Sequence, residues 1–90
     1  MATTDGTEID ETLRALLSDV LALDARRVAA FTDQTELFGA LPELDSMAVA
    51  TLLTGLEERL AILIEDEDVD AEDFATFGTL SAFARRKALR

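Results

Sequence analysis

Apolar residues recur with the period of an α-helix in three parts of this chain, and this pattern limits the fold more than any other feature. In the first part, a helix predicted over residues 8–23 carries six apolar side chains on one face. These are Ile9, Leu13, Leu16, Leu17, Val20 and Leu21. In the second part, Asp45 is a good N-cap for a helix that ends near Ala61. Its apolar face consists of Val49, Leu52, Leu53, Leu56 and Leu60. Gly55 interrupts this helix at a cost of about 1 kcal/mol relative to alanine, which predicts a close approach of a neighbouring element.

The connections are less regular. Residues 24–45 hold no long period, apart from one helical turn predicted over residues 26–31. Spaced apolar residues in this stretch predict a strap that packs across the helices. They are Val28, Phe31, Leu37, Phe38, Leu41 and Leu44.

After the second helix, residues 62–64 are expected to be extended. Asp70 then caps a short turn that presents Phe74 and Phe77 inward, and Gly78-Thr79 breaks the chain before a last helix over residues 80–89. Leu80, Phe83 and Ala84 face inward in that helix. The predicted fold is all-α: a small four-helix bundle with three longer helices, one short helix and a long first loop.

Charge and composition exclude several functions. The chain has 90 residues, a net charge of −11 and neither cysteine nor histidine. We expect a flexible leader over residues 1–6 and a single domain over residues 7–90. So acidic a protein is repelled by nucleic acid and by anionic membranes, is attracted to basic partner surfaces, and is expected to be a monomer. It has neither a secretory signal nor a membrane-spanning stretch, which predicts a cytoplasmic protein.

The same composition argues against catalysis and against a metal site. Without cysteine or histidine, and with Lys87 as the single lysine, no residue is available to activate a nucleophile, so we expect no catalytic residue. Asp66, Asp68 and Asp70 alternate as in the opening of an EF-hand loop. The sixth position is Ala71 instead of glycine and the twelfth is Phe77 instead of glutamate, so no metal site is predicted.

Ser46 is the residue that most invites chemistry. It opens the second predicted helix, at the positive end of the helix dipole, and Leu44 and Met47 flank it. These neighbours are apolar side chains that a partner could contact. Such a serine suits modification by the active site of another protein.

Asp45-Ser46-Met47 at the start of the second helix resembles the signature of the acyl carrier protein family, whose serine receives 4′-phosphopantetheine. The likeness continues downstream. Leu56-Glu57-Glu58-Arg59-Leu60 is similar to the end of the family's second helix, and Ile62 and Ile64 match the apolar residues that follow it. Phe74-Ala75-Thr76 and Thr79-Leu80 resemble the short third helix and the start of the fourth.

The resemblance implies roles for these residues. Ser46 would carry the phosphopantetheine arm through a phosphodiester, and Asp45 would cap the helix and help to present magnesium or the hydroxyl. Leu44 and Met47 would contact the attachment point, whereas Glu57, Glu58 and Val49 would face partners. An acyl chain would enter a cavity lined by Val49, Leu53, Leu56 and Ile62. The implied partners are a phosphopantetheinyl transferase and an acyl or aminoacyl ligase, synthase or transferase with a basic docking surface.

Two departures from the family pattern bear on the pathway. Residues 48–51 carry no charge, where carriers for general fatty-acid synthesis usually carry acidic residues. Pro42-Glu43-Leu44 stands where a glycine is common. Both favour a dedicated partner set in a specialised fatty-acid, polyketide or related pathway. An aminoacyl or peptidyl carrier stays open, as does a small helical interaction module in which Ser46 is only a cap or a phosphorylation site.

Overall fold

The computed structural model describes residues 6–88, and this range folds into α-helices joined by irregular segments. It contains four α-helices, three of them long. These are α1 (Gly6–Leu21), α2 (Ala25–Ala29), α3 (Ser46–Leu60) and α4 (Phe77–Ala88). Two 3₁₀ turns, Asp66–Asp68 and Ala71–Phe74, lie between α3 and α4. In the described range the only β-type pairing is one isolated bridge, Glu36 with Thr76. The predicted all-α bundle with a long first loop is confirmed.

Helix α1 carries the predicted apolar face but has different ends. It begins at Gly6, earlier than expected and inside the predicted leader; residues 1–5 of that leader lie outside the described range. It stops at Leu21 because Ala22 adopts the left-handed conformation, with φ 55°. The Ser18 hydroxyl donates to the Leu23 carbonyl oxygen at 2.7 Å and closes this end. Leu23 is therefore buried although it lies beyond the helix.

Helix α3 packs against α1 at the predicted glycine. A Cβ atom placed on Gly55 would lie 2.6 Å from Leu16 Cδ1, so any larger residue there must displace the end of the Leu16 side chain. Leu52 and Leu56 of α3 are fully buried in this contact region. The helix ends at Leu60, as predicted, where Ala61 takes the left-handed conformation and its N–H donates to the Glu57 carbonyl oxygen.

The first connection, which we define as residues 30–45 between α2 and α3, is the predicted packed strap. Phe31, Leu37, Leu41 and Leu44 are buried in the common core. Phe38 is an exception to the expectation, since 49% of its surface is exposed. Short helix α2 precedes the strap, near the predicted turn, and the Asp24 side chain caps it by accepting from the Arg26 N–H at 2.8 Å.

The prediction for the start of α4 was wrong. The helix begins at Phe77, and Gly78 lies inside its first turn. Thr76 and Thr79 cap this end reciprocally, each backbone N–H donating to the hydroxyl oxygen of the other residue. Gly78 is needed for a close approach, because a Cβ atom there would lie 2.7 Å from the Asp33 carbonyl oxygen.

The second connection, which we define as residues 61–76, contains most of the acidic residues between the helices. The family's short third helix was expected at Phe74-Ala75-Thr76; the structure has the 3₁₀ turn Ala71–Phe74 instead, and Asp70 caps it as predicted. Phe74 and Phe77 are buried, again as predicted. Among residues 6–88, no helix is both long and apolar enough to cross a membrane.

Candidate functional site

Ser46 is the first residue of α3, and the residue before it fixes the start of that helix. Asp45 has an extended backbone, and its carboxylate accepts a hydrogen bond from the Ala48 N–H at 2.9 Å. Its carbonyl oxygen accepts from the Val49 N–H, also at 2.9 Å, and so begins the helical ladder. The predicted N-cap is confirmed. Backbone N–H groups in a first helical turn lack partners within the helix, so Ser46 lies at a position that favours negative charge.

The three serines of the chain differ sharply in accessibility. Ser81 is buried in α4. Ser18 is partly buried, and its hydroxyl donates to the Leu23 carbonyl oxygen. Ser46 is exposed. Ser46 is thus the only one of the three serines that is exposed.

The two apolar residues near Ser46, Leu44 and Met47, differ in exposure. Met47 is 80% exposed and presents its side chain to solvent beside Ser46. Leu44 is only 4% exposed and belongs to the core. The expectation that Leu44 offers an exposed apolar contact is therefore wrong: its burial anchors the end of the first connection and so positions Asp45.

A cavity of about 200 Å³ opens beside Ser46. Its lining brings together α3, the first connection and the second connection. The lining residues are Phe38, Ser46, Val49, Ala71 and Phe74. Apart from the serine hydroxyl, every side chain in this set is apolar, so the cavity suits an uncharged, apolar group.

This lining differs from the one expected for an acyl cavity. Val49 is in place, but Leu53 lines a separate cavity of about 230 Å³ together with Ile64 and Val69. Leu56 is fully buried in the core, and neither Leu56 nor Ile62 lines either of these two cavities. Phe38 and Ala71 were missed, since their place depends on how the two connections meet, which no helical period encodes.

The acidic residues expected to face partners have different surroundings. Glu58 is exposed. Glu57 is half-buried, and its carboxylate accepts a hydrogen bond from the Ile64 N–H at 2.8 Å. Glu57 therefore ties the chain after α3 back to the helix, which leaves Glu58 as the more accessible of the two charges.

The acidic run of the second connection directs carboxylates to its own backbone. The Asp68 carboxylate accepts from the Glu65 N–H, and the Asp73 carboxylate accepts from the Asp70 N–H, each at 2.9 Å. Both belong to capping boxes of the 3₁₀ turns. Within residues 6–88, no group of three or more acidic side chains is arranged to hold a metal ion.

Comparison with known proteins agrees with this geometry. Residues 11–86 match the family model described as a phosphopantetheine attachment site. The structure is similar to the solution NMR structure of a holo acyl carrier protein from Nitrosomonas europaea, with a TM-score of 0.76 and 37% sequence identity. That similarity covers 87% of this chain and 92% of the other. No curated protein sequence matches the chain significantly.

Proposed function

The chain belongs to the acyl carrier protein family, whose members hold 4′-phosphopantetheine covalently, and we propose that Ser46 is the residue that receives this group. The exposure of Ser46 carries the proposal, since Ser18 and Ser81 are partly or fully buried. When bound, the group supplies the thiol that the chain itself lacks, on which acyl groups are held as thioesters.

The residues around Ser46 are suited to this modification. Asp45 fixes the first turn of α3 through the Ala48 N–H, which holds the Ser46 hydroxyl at a defined place on the surface. A phosphodiester there would bear a permanent negative charge at a helix N-terminus, where the dipole stabilises an anion by about 0.3–1 kcal/mol.

The transfer itself needs a partner enzyme. The Ser46 oxygen would form a bond to the phosphorus of coenzyme A that bears the pantetheine. The bond between that phosphorus and the bridging oxygen of the diphosphate would break, and adenosine bisphosphate would leave. The serine proton would pass to a base of the transferase, because this chain has no histidine to accept it. Asp45 is exposed beside Ser46 and would help to present magnesium or the hydroxyl in that complex. In this proposal the protein is a substrate of other enzymes and not a catalyst.

We further propose that the carrier serves a specialised pathway with a dedicated partner set. Besides Ser46, the exposed positions in the first turns of α3 are Met47, Ala50, Thr51 and Thr54, none of which is charged. Glu57 follows, and its carboxylate is engaged by the Ile64 N–H. A partner that docks along this helix would therefore rely on Met47 and Val49 for apolar contact and on Glu58 for charge. The net charge of −11 would speed its encounter with a basic surface.

The intact mass of the folded protein tests the attachment site. Wild type, Ser46→Ala and Ser18→Ala are each incubated with coenzyme A, magnesium and a phosphopantetheinyl transferase of broad specificity. We expect wild type and Ser18→Ala to gain one phosphopantetheine and Ser46→Ala to gain none. A mass gain on Ser46→Ala would refute the assignment. An unchanged mass for folded wild type with several such transferases would favour the unmodified interaction module.

A further inference from the structure

Phe38 differs from the other aromatic residue of the cavity beside Ser46. Phe74 is 3% exposed and is part of the core, whereas 49% of the Phe38 surface faces solvent. Both line the same cavity. The phenyl ring of Phe38 can therefore turn away from the cavity without removing a buried side chain from the core.

The backbone of Phe38 is held in place although its side chain is not buried. Its N–H donates to the Phe74 carbonyl oxygen at 2.9 Å, and the Leu37 N–H donates to the Ala75 carbonyl oxygen at the same distance. Directly after it, Gly39 adopts a φ of +93°, and the Leu41 N–H donates to the Leu37 carbonyl oxygen at 2.8 Å. These bonds fix the point from which the ring extends over the cavity.

The size of the cavity limits what can enter it. Pockets for drug-sized ligands span roughly 300–1,000 Å³, and this one holds about 200 Å³. The cavity is therefore smaller than a pocket for a drug-sized ligand, which favours a short acyl chain. Its wall is apolar apart from Ser46, which excludes charged acyl groups.

We propose that Phe38 determines the size of the acyl group that the carrier shelters, and that this group is a short, uncharged, apolar acyl chain. The inference rests on the proposed function, because the chain must carry its thioester at Ser46 for the cavity to receive the acyl group. With the ring over the cavity, the carbons nearest the thioester are enclosed and the remainder of a longer chain stays in solvent. Without the ring, the cavity opens toward the first connection.

The test measures how well the protein protects its own thioester. Acyl-phosphopantetheine groups with 2 to 12 carbons are transferred from the matching acyl-coenzyme A to wild type, Phe38→Ala and Phe38→Leu. The rate of thioester cleavage by hydroxylamine is then followed by intact mass. Leu63→Ala is the matched control, since Leu63 is 69% exposed and lines neither cavity. The helical circular dichroism of each variant shows that it is folded.

In wild type and Leu63→Ala we expect the cleavage rate to fall severalfold with chain length and to level off at the length that fills the cavity. In Phe38→Ala we expect the rate to level off at a longer chain, with Phe38→Leu in between. Identical length profiles in wild type and both Phe38 variants, or no dependence on length in wild type, would overturn the inference. Failure to load any acyl group would contradict the proposed function instead, so the two failures are distinguishable.

Discussion

The first and second connections meet beside Ser46, but different forces hold them. The first connection buries four large apolar side chains. The Arg14 guanidinium binds the end of α2 and the beginning of this connection. Arg14 donates to the Val28, Ala29 and Phe31 carbonyl oxygens at 2.7, 3.3 and 3.0 Å. The second connection has seven acidic residues among residues 65–73, and Phe74 is its only buried large side chain.

The second connection also depends on ion pairs to the last turns of α4. Lys87 Nζ lies 2.8 Å from Asp68 Oδ2, and Arg86 lies 3.6 Å from Asp73 Oδ1. Apolar burial and hydrogen bonds to carbonyl oxygens resist salt, whereas ion pairs that solvent partly reaches are weakened by it. Of the two connections that line the cavity beside Ser46, the second is thus the more sensitive to salt. We expect it to lose its contacts first as the salt concentration rises.

Of the substitutions considered, the replacement of Arg14 should lower the free energy of unfolding the most. In Arg14→Leu, carbonyl oxygens at the start of the first connection lose a charged donor, and the cation over the Phe77 ring, 4.5 Å from its centroid, is removed. We expect the free energy of unfolding to fall by about 3 kcal/mol in urea denaturation. Arg26→Leu is the control, with the same change of charge in an exposed residue and an expected effect within about 0.5 kcal/mol. Equal effects of the two substitutions would show that Arg14 is not an anchor.

A substitution where the first connection packs against α4 should lower the free energy of unfolding by a smaller amount. In Gly78→Ala the new methyl group meets the Asp33 backbone carbonyl oxygen, which cannot move without shifting the strap. We expect the free energy of unfolding in urea to fall by about 2 kcal/mol.

Gly55→Ala provides the contrast for that prediction. Its methyl group meets the flexible end of the Leu16 side chain, and alanine gains about 1 kcal/mol of helix propensity over glycine. We therefore expect a net change smaller than that of Gly78→Ala. A larger loss at Gly55 than at Gly78 would contradict the rigid seat of the first connection.

The ion pair at the second connection should have the smallest effect on global stability and a local effect on exchange. Lys87 is 13% exposed at its side chain, so its bond to Asp68 is partly shielded from solvent. In Lys87→Met we expect the free energy of unfolding to fall by about 1 kcal/mol. We also expect faster amide hydrogen exchange over residues 65–70. Arg85→Met removes the same charge from an exposed neighbouring position and should leave that exchange unchanged. Faster exchange in both variants would indicate a general charge effect instead of a specific tie.

The parts of the fold that the sequence predicts are those set by local pattern. The apolar periods of α1 and α3 and the short polar side chain of Asp45 are local signals, and each led to the correct element. The predicted start of α4 is wrong because glycine is typical of a helix break, whereas Gly78 serves a close contact with Asp33, which lies far away in sequence.

The candidate site shows the same limit. The residues beside Ser46 and the helix that it begins are local signals, and they are enough to propose it as the site. The burial of Leu44 and the position of Phe38 over the cavity follow from the path of the first connection. That path is fixed by bonds such as Phe38 N–H to the Phe74 carbonyl oxygen, between residues that share no local pattern.

The position of the modification tests the central claim most directly, and the sequence makes the measurement decisive. Cleavage after arginine and lysine separates the three serines, because residues 15–26, 28–59 and 60–85 each contain one of them. After incubation with coenzyme A, magnesium and a phosphopantetheinyl transferase, fragment masses locate the added group. We predict that it lies on the fragment of residues 28–59, at Ser46. A phosphopantetheine on either of the other two fragments would contradict the account.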